Sequence, residues 1–181
     1  MSSRGKTGTL TRRQLLSAGA FGGVSLAVGC HMGKSSVWEF LSDEQARTLA
    51  VVCDEIVPAD DFPSASQAGV LDYIDRQLAR SYRRHRAAYT DGLLHVDEMS
   101  RIRFGQPFAA LASDHRFEIV SALEQYDKPF FNLVRNHTLE GYYGSPRHGG
   151  NRDAVSWRML GLAEPPIRGR SQYDLTNGSP S

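Results

Sequence analysis

The chain has 181 residues, 40% of them hydrophobic and 23% charged, which suits one globular domain with room for an ordinary core. Its formal charge of +1 hides an asymmetry: Arg4, Lys6, Arg12 and Arg13 stand in an acid-free N-terminal stretch, and beyond it 17 basic residues face 20 acidic ones. A remainder near −3 argues against nucleic acid as a partner, no apolar run reaches the length of a membrane span, and two cysteines are too few for a zinc or haem site.

Residues 1–30 read as an export leader. Thr11-Arg12-Arg13-Gln14-Leu15-Leu16 follows a polar, basic stretch and precedes a mildly apolar, Gly-rich run from Ser17 to Gly29. This resembles a twin-arginine signal, with Arg12 and Arg13 as the paired arginines. Ala27-Val28-Gly29-Cys30 looks like a lipobox, although Ala27 stands where Leu is usual. Acylation of Cys30, ordinary cleavage near Gly29 and an uncleaved anchor are the three ways such a leader can end. An acylated Cys30 would hold the domain at a membrane surface without spanning it. Cys30 and Cys53 could instead pair with each other, or with another chain, in an oxidising compartment.

The pathway that reads twin arginines moves folded proteins, often with a partner already bound. A small domain without a cofactor motif has little need of that route unless it exports something attached to it.

Residues 31–40 form a short linker. Ser42 and Gln45 make a capping box, and Ala46, Leu49, Val52, Cys53 and Ile56 follow at helical spacing until Pro58. Cys53 falls on the buried stripe, as an inert core thiol would. A second helix is expected from near Ser66 or Gln67 with Val70, Tyr73, Ile74 and Leu78 inward, and a third from about Arg84 to Arg103. Ser113 should cap a fourth helix burying Phe117, Val120 and Leu123; a fifth runs from about Asp127 to Tyr142 with Phe130, Phe131, Val134 and Thr138 inward. No period-two alternation supports a strand. The expected architecture is an all-α, irregular bundle of about five helices over residues 41–163, with a short C-terminal helix and a tail, residues 164–181, too rich in Pro, Gly, Arg, Ser and Asn for a core.

After the fifth helix the chain reads Gly141-Tyr142-Tyr143-Gly144-Ser145-Pro146-Arg147-His148-Gly149-Gly150-Asn151, then Trp157 and Gly161. The glycines permit a helix end and close backbone approach, and Asn151 can cap the next turn.

This segment resembles the ending GYY-x-x-P-x-x-GGN-x5-W-x-x-[LI]-G of the gluconate 2-dehydrogenase subunit 3 family, matched here by Gly141, Tyr142, Tyr143, Pro146, Gly149, Gly150, Asn151, Trp157 and Gly161. The acidic helix ending Asp54-Glu55-Ile56-Val57-Pro58, the segment from Ala68 to Asp75 and the leader are similar too. Pro63-Ser64-Ala65 stands where that family often has Pro-Gly-Ala. The resemblance implies a non-catalytic accessory subunit of a periplasmic flavin-dependent sugar or alcohol dehydrogenase, with the motif residues as family markers or partner contacts. It also implies FAD in a large partner subunit, a cytochrome c subunit as electron acceptor, and a role in assembly and export through the twin-arginine translocase.

Other chemistry finds little footing. No GxGxxG opens a βαβ unit and no CxxCH is present. His85, His95, His115 and His137 are expected on different helix faces or segments, which leaves His148 in the Gly loop as the best ligand contact, although a solvent-facing histidine is the plainer reading. Asp54, Glu55, Asp60 and Asp61 could suggest acid–base work, but neighbours in sequence do not straddle a cleft and are expected to be solvated. Trp38, Tyr142, Tyr143 and Trp157 could form an aromatic surface, and core packing explains Trp157 equally well. The alternatives to an accessory subunit are a free-standing periplasmic lipoprotein binding module and a small enzyme.

Overall fold

A computed structural model describes residues 37–162, so Arg12, Arg13, Cys30, residues 31–36 of the linker and the tail 164–181 lie outside the described residues. Within them the chain is all-α: α1 (Asp43–Ile56), α2 (Val70–Ala79), α3 (Arg86–Phe104), α4 (Ser113–Tyr126), α5 (Lys128–Tyr143) and α6 (Val155–Met159), with no strand. Short 3-10 turns stand at Arg83–His85, Phe108–Ala110, Pro146–His148 and Arg152–Ala154.

The helix α1 starts at the expected capping box. Ser42 Oγ accepts from Gln45 N at 3.1 Å while Gln45 Oε1 accepts from Ser42 N at 2.9 Å. Its stripe of Ala46, Leu49, Val52 and Cys53 is buried, and α1 packs against each of α2, α3, α4 and α5. A helix so surrounded needs apolar side chains on more than one row, and Thr48 supplies a polar exception. Thr48 Oγ1 donates to buried Asp97 of α3, whose other oxygen accepts from Phe108 N at 2.9 Å. One carboxylate thus fixes α1, α3 and the turn that follows α3, and its burial is balanced by those bonds.

Three expectations are corrected. The helix α2 begins at Val70 rather than near Ser66, because Gly69 adopts φ +80, a left-handed value that turns the chain immediately before the helix. Residue Ala112, in extended conformation, precedes α4, and Ser113 is the first helical residue with no side-chain cap. Phe117 points outward with 68% of its surface exposed, leaving Ile119 and Leu123 as the buried anchors of α4. The fifth helix keeps close to its expected bounds: Asp127 is its N-cap, accepting from Phe130 N at 3.3 Å, and Pro129 sits in the first turn. Phe130, Phe131, Val134 and Thr138 are all buried as the spacing requires.

Close approach of α3 and α5 depends on Gly92. A Cβ there would lie 2.5 Å from the Phe130 ring, so a larger residue requires that ring to shift.

Candidate functional site

The segment after α5 folds back as a clasp. Gly144 ends the helix, the turn at Pro146–His148 reverses the chain, and Gly149 at φ +106 aims it back across the helix end. Gly150 then lies against the backbone of Gly141, where a Cβ would stand 2.1 Å from the Gly141 carbonyl oxygen. Gly141 itself faces Tyr73 of α2 across a gap that a Cβ would close to 2.9 Å. Two motif glycines therefore let the returning backbone, the end of α5 and the Tyr73 side chain of α2 meet.

Asn151 closes the clasp. It is fully buried at φ 48, a left-handed value that Asn tolerates better than most residues. Its Nδ2 donates to Gly144 O at 2.8 Å, and its Oδ1 accepts from Ser156 N at 3.0 Å. The second bond satisfies a first-turn N–H of α6 from outside that helix, whose N-cap is Ala154; Asn151 itself stands at the N-cap of the turn Arg152–Ala154 with no side-chain cap bond there. Arg152 N donates to Ala68 O at 2.8 Å, and the Arg152 side chain reaches Asp72 of α2 at 3.0 Å. Tyr142 OH donates to Pro63 O at 2.8 Å, tying the same region to the loop after α1.

Most of the motif is therefore internal. Gly141, Tyr142, Gly150 and Asn151 are buried together, and Pro146 shapes the turn between them. Tyr142 is 2% exposed, which removes it from any aromatic surface. Trp157 is half-buried, its Nε1 donating to Tyr143 O at 3.0 Å. Gly161, at φ +67, stands apart from the clasp with open space around it. What the motif presents outward is a small apolar edge: Tyr143, Leu160 and Leu162 are exposed, with Leu162 N bonded to Trp157 O at 2.7 Å.

His148 is exposed in the turn. Asp54, expected to be solvated, is instead a structural acceptor, taking Ser66 N at 2.8 Å and Ser66 Oγ at 2.7 Å. Asp60 accepts from Phe62 N within its own turn. Burial pushes the Cys53 thiol up to about 12, with Thr138 Oγ1 donating to the sulfur at 3.2 Å, so a disulfide to Cys30 would require the core to open.

The spacing missed one cluster. His85 and His137, which lie in different segments as expected, nonetheless meet at 5.5 Å between ring centroids. His137 stacks on Tyr82 at 4.3 Å and its Nδ1 bonds the Tyr89 hydroxyl at 2.9 Å. Glu140, one turn beyond His137, accepts from Tyr82 OH at 2.7 Å and Tyr73 OH at 3.2 Å. Tyr82, His85 and Tyr89 recur at helical intervals, as do His137 and Glu140. That spacing was the available signal.

Burial pushes His137 down to about 4; Glu140 opposes the shift, and His85 and Arg84 reinforce it. Burial likewise pushes the Tyr89 and Tyr73 hydroxyls up. His137 and the Tyr89 and Tyr73 hydroxyls are thus held neutral, and hydrogen bonds through this cluster hold α2, α3 and α5 together. Beside it a groove of about 520 Å³ is lined by residues including His85, Asp91, His95, Asp127 and Leu133. Among the described residues no group of three or more His, Cys, Asp or Glu side chains is arranged to hold a metal ion.

No curated protein and no solved structure matches the chain. The family model described as gluconate 2-dehydrogenase subunit 3 matches residues 43–163, from the first residue of α1 to just beyond α6. The match takes in both the helical body and the glycine clasp, and the chain belongs to the gluconate 2-dehydrogenase subunit 3 family.

Proposed function

We propose that the chain is the non-catalytic small subunit of an exported flavin-dependent sugar or alcohol dehydrogenase complex. In this reading it binds a folded, FAD-containing large subunit in the cytoplasm and lends that partner its twin-arginine leader. Its destination is the periplasm, where a cytochrome c subunit takes the electrons and Cys30, if acylated, tethers the assembly to the membrane. The observation that carries the reading is the family match over residues 43–163.

The geometry is consistent with a binding role. Motif residues are spent on backbone closure, the buried histidine is neutral at pH 7, and the buried cysteine is a protonated thiol. The apolar edge of Tyr143, Leu160 and Leu162 is exposed and so available to a partner.

The escort role is tested by replacing both leader arginines, Arg12→Lys and Arg13→Lys, in the native host and fractionating the cells. This chain and its dehydrogenase partner should then both accumulate in the cytoplasm. Normal export of the partner dehydrogenase in that strain would contradict the escort role.

A further inference from the structure

Residues 76–86 read Arg-Gln-Leu-Ala-Arg-Ser-Tyr-Arg-Arg-His-Arg, and no acid occurs from residue 76 to residue 90. Five arginines in so short a stretch run against the acidic balance of everything beyond the leader. The fold places them at the corner where α2 gives way to α3.

Two of them build that corner. Arg83 Nε donates to Ala79 O at 2.9 Å, and Arg86 Nε donates to Leu78 O at 2.8 Å, satisfying carbonyls at the C-terminus of α2 where positive charge is favoured. The Arg86 guanidinium also lies 4.9 Å from the Phe40 ring centroid. Arg80 meets Glu39 at 3.4 Å, a pair open to solvent and therefore weak. Arg76, Arg83 and Arg84 are exposed and make no ion pair among the described residues. The nearby Glu140 accepts from Tyr82 and Tyr73 and forms no ion pair with these arginines among the described residues.

The chain joins the fold at this same corner. Buried Asp75 accepts from Glu39 N at 2.6 Å and from Phe40 N and Leu41 N at 2.9 Å each. That carboxylate pins residues 39–41 to α2, beside Arg80 and Arg86. Val37, just before them, is 90% exposed. Cys30 stands seven residues earlier in the sequence, a separation that extended chain spans in at most about 25 Å.

We propose that the arginine corner between α2 and α3 is a binding surface for anionic phospholipid headgroups, set beside the point where the leader joins the folded domain. Guanidinium groups bond phosphate oxygens in pairs, and unneutralised arginines near an anionic bilayer each add to binding. A tether shorter than a protein diameter would hold the corner at high effective concentration near the membrane to which it is attached. An acidic protein could meet the same charge, but the adjacency of corner and leader favours the bilayer. The inference borrows only the tether from the export reading; headgroup binding is measured without a dehydrogenase or translocase.

The test uses the full chain with Arg4, Lys6, Arg12 and Arg13 replaced by Gln, so that the leader does not mask the corner. It is sedimented with vesicles of phosphatidylcholine alone, or of phosphatidylcholine and phosphatidylglycerol in about equal parts. The chain should bind the mixed vesicles, more weakly as salt rises, and bind phosphatidylcholine far less. The triple variant Arg76→Gln, Arg80→Gln, Arg84→Gln leaves the two capping arginines in place. It should lose roughly 25-fold or more in partitioning, at about fivefold per unpaired arginine, with its helical circular dichroism unchanged. Equal binding to both vesicle types by the parent chain would overturn the proposal whatever the variant does. So would a folded variant that binds like its parent, including one that instead loses a co-purifying acidic protein.

Discussion

Gly150 rests against the carbonyl oxygen of Gly141 so closely that a Cβ on residue 150 would stand 2.1 Å away from it. This contact folds the chain after α5 back over the helix end, and the bonds of Asn151 and Arg152 depend on it. The most recognisable stretch of the sequence is thus a structural clasp.

Gly150→Ala should destabilise the domain by about 3 kcal/mol or more, because backbone meets backbone and neither side can yield cheaply. Gly105→Ala is the control: Gly105 has φ +73 but nothing within 4 Å of its would-be Cβ. It should cost only about 1 kcal/mol, for the left-handed conformation alone. Urea denaturation of the two variants separates steric closure from backbone strain.

Asn151→Ala should cost about 2 to 4 kcal/mol, since it strips partners from Gly144 O and Ser156 N. Ser156 Oγ, a few residues on, is buried without a hydrogen-bond partner. Ser156→Ala should therefore be neutral or stabilise by up to about 1 kcal/mol. Thermal unfolding followed by circular dichroism reads both, and a large loss for Ser156→Ala would contradict the assigned bonding.

Stability should fall as the medium is acidified through the window set by His137. Its folded value is lowered to about 4 from the ordinary 6.5. Between those values the unfolded chain takes up a proton that the folded chain refuses, so stability present above pH 6.5 is lost progressively towards pH 4. The loss from this residue is at most about 3 kcal/mol. His137→Gln should flatten that part of the stability–pH curve; an unchanged slope would show that other groups carry it.

Cys53 should resist thiol reagents in the native state and react only on unfolding, because burial keeps it protonated and out of contact with solvent. Labelling with a chromogenic disulfide reagent, with and without denaturant, checks this. Native reaction at the rate of a free thiol would mean that α1 opens far more readily than its packing implies.

Helix placement was legible where the signal was local and strong. Ser42 with Gln45 and Pro58 gave both ends of α1, and the spacing of Phe130, Phe131, Val134 and Thr138 gave the inner face of α5. Phe117 misled because α4 packs through Ile119 and Leu123, and a period of 3.6 does not say which of two apolar rows faces inward. The start of α2 was missed because Gly69 turns the chain to pass close to Gly149 O, a long-range contact with no local trace.

The motif at 141–161 was legible as a family marker but not as a clasp, since only three dimensions show Gly150 against Gly141. His85 and His137 come from elements far apart in sequence, and their meeting follows from how α3 and α5 cross. The arginines of residues 76–86 were in plain view, but the overall balance of 17 to 20 averaged them away.

The outer edge of the clasp carries the partner prediction. Leu160→Asp with Leu162→Asp alters two exposed side chains and should leave thermal stability within about 0.5 kcal/mol of the parent. It should nonetheless weaken retention of the large subunit. Full retention by the folded variant would move the contact elsewhere on the domain.

The central claim is that this chain works as a subunit of a dehydrogenase. The direct measurement is to purify the tagged full chain from its native host in mild detergent, weigh the co-eluting proteins and record the visible spectrum. A stoichiometric large partner with flavin absorption is the predicted result. A solitary, colourless protein from cells that demonstrably express the dehydrogenase would contradict the account.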